Sequence, residues 1–159
     1  MPDLITHVTL SHVLRRLFDL ANGQKPVNHF RILFYIGTVL PDVLTRPFYI
    51  ILPINIDWTV ALHTPLGALL SCSIFALLFE VKIRKIAFLN LTGGAGIHFL
   101  LDSLQKQVSG DNFWLFPLSY KDFSFGLMWA GDIIPLIPLW IGLVIMLEFG
   151  IYSYGRLKS

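Results

Sequence analysis

Six ionisable side chains interrupt otherwise apolar stretches of this sequence: His7, Asp42, His63, His98, Asp102 and Asp132. The sharpest grouping is Gly94-x-x-x-His98-x-x-x-Asp102. A spacing of four puts all three on one helical face. An imidazole nitrogen and a carboxylate oxygen one turn apart can ligate a single Zn²⁺ or similar ion at about 2 Å from each. The same pair can equally be an ordinary hydrogen-bonded couple. Gly93, Gly94 and Gly96 remove side chains where a neighbouring helix is expected to approach closely. In His63-Thr64-Pro65, Thr64 reads as an N-cap and Pro65 as the first helical residue, so His63 falls just outside a helix start. There it could also be satisfied by backbone carbonyls. Asp42 follows Pro41 and could serve either as a ligand or as a turn former. His7 belongs to an amphipathic helix. His12, off the face of His7, and His29, in a basic loop, read as structural, Asp3 as an N-cap, and Asp132 as a cap or a supporting group.

These residues need elements to carry them, and composition says where those elements lie. Of 159 residues, 55% are hydrophobic and 14% charged, against about 25% charged in soluble domains. A mean hydropathy of +0.67 points to lipid. A net charge of +2 offers no nucleic-acid surface. The lone Cys72 has no disulfide partner and reads as a buried apolar side chain. The opening Met1-Pro2-Asp3, with Arg15 and Arg16 following early, does not read as a cleaved signal. No repeat or linker divides the chain, so residues 1–159 read as a single membrane-embedded domain.

The fold expected is all-α, an integral membrane bundle of about five helices near 3–20, 30–41, 58–81, 84–104 and 127–152. A span needs close to 20 residues to cross about 30 Å of hydrocarbon. The last segment is long enough by itself, and the third and fourth reach that length with their flanks. The first helix is amphipathic and should end at Asn22-Gly23. The second should stop at Pro41, because proline cannot donate to the helix ladder. Alternating directions place Arg15, Arg16, Lys25, Arg31, Lys82, Arg84, Lys85, Arg156 and Lys158 at one end and only Arg46, Lys106 and Lys121 at the other. By the positive-inside rule the first end and the C-terminus are cytoplasmic. His7, Asp42, His63, His98, Asp102 and Asp132 then all gather at the opposite, non-cytoplasmic end of a multi-pass protein of the cell membrane.

Taken in order, Thr6-His7, Leu40-Pro41-Asp42, His63-Thr64, Gly94-x-x-x-His98-x-x-Leu101-Asp102 and Trp114-Leu115-Phe116-Pro117 resemble the LexA-regulated, membrane-bound metal-dependent hydrolases. The matching motifs run from residue 6 to residue 119. None is specific alone, while the ordered set is fairly specific. Two departures stand out. The family pattern carries a second aspartate where this chain has Leu44, and a further histidine, with arginine and glycine, where it has Asp57-Trp58-Thr59-Val60-Ala61-Leu62. These imply a reduced metal site or a member without activity. The order of the ligands also looks like a distant echo of zinc-dependent phospholipase C, an analogy only.

What the resemblance implies is a hydrolase with a divalent ion, Zn²⁺ on this donor set, held by His63, His98 and Asp102. His7 would be a further ligand or hold a second ion. Asp42 would bridge ions or act as general base on the attacking water. The aromatic run Phe113, Trp114, Phe116, Tyr120, Phe123 and Phe125 reads as interfacial anchoring, or as a surface admitting a lipid-like phosphoester from the bilayer. The competing expectation is a non-catalytic multi-pass protein, a partner, assembly factor or small carrier, whose buried His and Asp residues hydrogen-bond between helices.

Overall fold

In the computed structural model of the protein, residues 4–23, 30–51, 57–106 and 113–157 are described. They form helices α1 (Leu4–Ala21), α2 (Phe30–Ile51), α3 (Asp57–Leu62), α4 (Pro65–Leu77), α5 (Val81–Leu104), α6 (Ala130–Ile133) and α7 (Ile137–Leu157), with a 3-10 turn, Ile134–Leu136, joining the last two. Among the described residues there is no strand beyond two isolated bridges, Gln105 with Met128 and Phe113 with Asp122. The all-α expectation holds. Asn22 and Gly23 end α1 as anticipated, Gly23 at φ 62° and its N–H on the Leu20 carbonyl.

Two boundaries differ from the sequence reading. The second helix does not stop at Pro41 but runs through Pro41 and Pro47 to Ile51. A proline inside a free helix costs about 3 kcal/mol. Here Pro41 is fully buried, α2 packs along α5, and helical stability in a packed protein comes mainly from such contacts. Thr38 Oγ1 donates to the Phe34 carbonyl at 3.1 Å and Thr45 Oγ1 to the Pro41 carbonyl at 2.8 Å, supplying local hydrogen bonds around the proline turn. The expected 58–81 helix is in fact two. Thr64 breaks it as a true N-cap, accepting from the Gly67 N–H at 3.1 Å, with Pro65 opening α4. The last helix likewise starts only after α6 and the 3-10 turn.

The helix pairings fix directions. His7 meets Asp102 while Arg15 bonds Asn90, so α1 runs against α5. Ser11 meets Thr38 and Asp19 meets Arg31, so α1 also runs against α2. The α2–α5 crossing is closest at Gly37 and Gly94. A Cβ on Gly37 would lie 2.1 Å from the Leu91 carbonyl oxygen, and one on Gly94 2.0 Å from that of Phe34. Of the three glycines expected to admit a neighbour, only Gly94 meets backbone: Gly93 touches the Phe34 ring and Gly96 faces open space. Leu40, Ala68, Cys72, Leu91, Ala95 and Phe99 form the apolar core beside this crossing.

Among the described residues, one helical segment, Ile134–Tyr154, is long and apolar enough to cross a membrane, with a mean hydropathy of 2.1 and none of it buried. The apolar α4 is shorter than a span. The expectation of several spanning helices is therefore met by one segment on length and composition.

Candidate metal centre

The five expected ligands come together. His7, His98 and Asp102, all buried, offer ligand atoms within 4.8 Å of one another, and so do Asp42, His63 and His98. His98 belongs to both groups. α1 delivers His7, α2 delivers Asp42, the α3–α4 turn delivers His63, and the last turns of α5 deliver His98 and Asp102. Continuing α2 past Pro41 moves Asp42 from a helix end to its interior, where it is 2% exposed. Asp132 stands apart, exposed in the first turn of α6. His29 and Asp3 lie outside the described residues.

Asp102 is the hub. Its Oδ2 lies 3.1 Å from His63 Nε2 in a hydrogen bond and 3.3 Å from His98 Nε2, and its Oδ1 lies 3.4 Å from His7 Nε2. The last two contacts lack hydrogen-bond geometry, and both ring nitrogens of His7 and of His98 are buried without a hydrogen-bond partner. Leaving a buried polar atom unsatisfied costs about 1–3 kcal/mol. On these two neighbouring rings, whose centroids are 4.7 Å apart, it is the Nε2 atoms that face Asp102 and could bind an ion, one nitrogen from each ring. Imidazole lone pairs turned on a shared carboxylate are what a divalent ion needs, so the residues fit one. At His63, burial works against the imidazolium. The hydrogen bond and negative charge of Asp102, with the charge of Asp42 behind them, prevail and raise its pKa.

Asp42 has a partner that the sequence reading missed. Arg46 Nη2 donates to its Oδ2 at 2.6 Å. The signal was the i, i+4 spacing, concealed once the helix was expected to stop at Pro41. Leu44, where the resemblance expects a second aspartate, packs against the apolar core. The side chains of Asp57, Trp58 and Thr59, in the other departing segment, lie outside what is described.

The aromatic run reaches the centre through one ring. Trp114 packs edge-on to Phe99 at 6.0 Å, and Phe99 lies 5.7 Å from His63. The chain after it returns along the end of α5, where the Phe125 and Leu127 N–H groups donate to the Ser103 and Leu104 carbonyls at 2.7 and 2.8 Å. Those carbonyls would otherwise be left open at the helix end.

A second polar cluster lies toward the start of α5. Asp19, 1% exposed, accepts from Arg15 and Arg31, and Arg15 also reaches Asn90 Oδ1 at 2.8 Å. Arg16 makes a two-pronged pair with Glu148 of α7. His12 bridges the Tyr35 hydroxyl and Glu148, both at 2.9 Å, which fits its structural assignment. Glu148 was overlooked in sequence although an acid inside an apolar helix is itself a signal. Compared with known proteins, the chain matches no family model, no curated protein and no solved structure.

Proposed function

We propose that the protein is a membrane-bound, metal-dependent hydrolase acting on a phosphoester or other lipid-type substrate. The observation that carries this reading is the meeting of His7, Asp42, His63, His98 and Asp102 from separate elements, with the Nε2 atoms of His7 and His98 buried, without hydrogen bonds, and facing Asp102. His7, His63, His98 and Asp102 would hold the divalent ion, Zn²⁺ being the natural match to three imidazoles and one carboxylate. When bound, such an ion supplies Lewis acidity for the scissile phosphoryl or carbonyl oxygen and acidifies the attacking water. Asp42 is the proton acceptor on this reading, oriented by Arg46. Phe99 and Trp114 pack along one side of it.

Membrane residence is supported by an inversion of polarity. Among the described residues, fifteen polar or charged side chains are buried against nine hydrophobic ones, the reverse of a water-soluble core. Leu66, Leu69, Leu70, Ile74 and Leu77 meanwhile stand exposed along α4. A row of that size asks for lipid or a partner. On this reading α7 is one span of a multi-pass bundle in the cell membrane, and the ligand cluster faces the non-cytoplasmic side.

The second reading, a non-catalytic membrane protein, rests on the His63–Asp102 hydrogen bond and the Asp42–Arg46 pair, which could serve as a polar knot between helices. Metal analysis of the purified protein separates the two. The hydrolase reading expects stoichiometric zinc in the wild type. It expects an affinity loss of on the order of 100-fold or more in His98→Ala and Asp102→Asn, because changing even an outer partner of a ligand costs about 10–100-fold. A wild type that binds no divalent ion, with both variants folded and working in cells, establishes the second reading instead.

A further inference from the structure

Near the turn that joins α4 to α5, the two helices flank an open groove of about 380 Å³. Its lining is Ser73 and Ala76 of α4 with Val81, Arg84, Lys85 and Phe88 of α5. Positions 81, 84, 85 and 88 share one helical face, so a single stripe of α5 forms that wall. Arg84 is tied to the turn. Its Nη2 donates to the Leu77 and Phe79 carbonyls, both at 3.3 Å, covering the end of α4. Those partners are neutral, and Arg84 forms no ion pair among the described residues, so its charge is left uncompensated. Lys85, one residue on, is exposed and makes no hydrogen bond or ion pair with any described residue. Lys82 is likewise exposed and unpaired among the described residues, and the acid of this turn is Glu80 at the N-cap.

We propose that this groove seats an anionic phospholipid, its phosphate at Lys85 beside Arg84 and an acyl chain running past Phe88 and Ser73. The inference rests on the membrane reading above and is independent of the metal, whose candidate ligands His98 and Asp102 lie in the last turns of α5. Charge complementarity selects the occupant. Lys82, Arg84 and Lys85 stand against Glu80 alone at this turn, an excess that an anionic headgroup answers. A zwitterionic headgroup brings its own cation and leaves that excess in place. Lys85 carries the recognition, because its ammonium is uncommitted while Arg84 already holds two carbonyls. A lysine stem can lie on apolar surface and lift its charge to headgroup depth. The walls then distinguish a lipid from a free phosphate ion. Ala76, Val81 and Phe88 are apolar, and Ile74 and Leu89, next to the lining, are exposed, which favours an acyl chain and gives a bare ion nothing.

The test uses full-length protein extracted from membranes into maltoside micelles. Calorimetry measures the binding of dihexanoyl-phosphatidylglycerol, dihexanoyl-phosphatidylcholine and glycerol phosphate. Wild type should prefer the phosphatidylglycerol over the phosphatidylcholine by about tenfold or more, the combined effect of two cations. Lys85→Gln, a change at an exposed side chain, should cut that preference by about fivefold. Lys121→Gln, in the aromatic segment, should leave it as it was. Ser73→Trp fills the groove and should weaken both lipids. A preference that survives in Lys85→Gln overturns the inference, as does lipid binding unchanged in Ser73→Trp. An equal loss in Lys121→Gln also overturns it, since net charge alone would then be at work. So does glycerol phosphate bound as tightly as the phosphatidylglycerol. Lys85-dependent dimers in light scattering would put a second copy on the groove and overturn it too. Protein that alkaline carbonate strips from membranes fails the membrane reading, and the inference with it, a result read before any lipid is added.

Discussion

Gly94 of α5 rests directly on the Phe34 carbonyl of α2, so close that an added methyl would sit 2.0 Å from that oxygen. This contact sets the spacing of the two helices that bring Asp42 to His98. Gly94→Ala should therefore cost about 1–3 kcal/mol of stability through overpacking and lower zinc occupancy, because the atom in the way is backbone and cannot swing aside. Gly96→Ala, two residues on, meets nothing within 4 Å. It should be neutral or stabilise by about 0.5–1 kcal/mol through better helix propensity. Thermal unfolding of both variants checks the pair, and equal behaviour would show that the close crossing does not govern the centre.

The gathering of candidate ligands was legible in sequence because ionisable groups in apolar helices stand out whatever the helix boundaries are. His98 and Asp102 carry their geometry in their spacing, and alternating helices bring His7, Asp42 and His63 to the same end. The boundaries were less legible. Pro41 obeys a local rule that packing on α5 overrides, and its misreading hid Arg46 as the partner of Asp42. His63-Thr64-Pro65 worked the other way, since a cap and a proline at N1 are satisfied locally and need no tertiary help. The Arg16–Glu148 pair joins α1 to α7 across most of the chain, and no local pattern encodes such a meeting.

The His63 imidazole is held by Asp102, and its pKa lies above the ordinary histidine value for that reason, despite burial. In the metal-free protein the protonated form thus stabilises the fold. That contribution is complete below the unfolded histidine pKa and fades as pH rises through the higher folded value. An ion needs the unprotonated nitrogen, so zinc affinity should run the opposite way, falling as pH drops through the same window. Unfolding of wild type and His63→Gln in EDTA should show a stability difference that is largest at the acid end of that window and shrinks toward pH 8. With zinc present, the difference should instead grow with pH. A difference independent of pH in EDTA would mean that the His63–Asp102 contact carries no charge.

Arg16 is buried and its carboxylate partner, Glu148, is 40% exposed on α7. Removing one member of a fully buried pair costs about 3–5 kcal/mol, and the partial exposure of Glu148 reduces that to about 2–3. Glu148→Met should thus destabilise the protein and loosen α7, which packs against α1. The double variant Arg16→Met, Glu148→Met removes the stranded charge and should recover most of the loss. Unfolding in denaturing detergent gives the energies, and proteolysis within α7 reports its release. Strictly additive single effects would show that the two residues are not coupled.

Sidedness follows from the same geometry. Arg15 bonds Asn90 near the middle of α5, whose beginning carries Lys82, Arg84 and Lys85, while His7 meets Asp102 near its end. On the proposed multi-pass reading, the nine-to-three split of basic residues in the sequence would put the ligand cluster on the non-cytoplasmic side. Cys72 is 0% exposed, so the natural chain offers a silent background for thiol labelling. In intact cells a membrane-impermeant maleimide should modify Lys121→Cys, which is exposed in the aromatic segment, and spare Lys82→Cys until the cells are opened. The reverse pattern would turn the protein over and place the metal centre in contact with the cytoplasm. Labelling of both sites in intact cells would mean that the bundle does not separate two compartments at all.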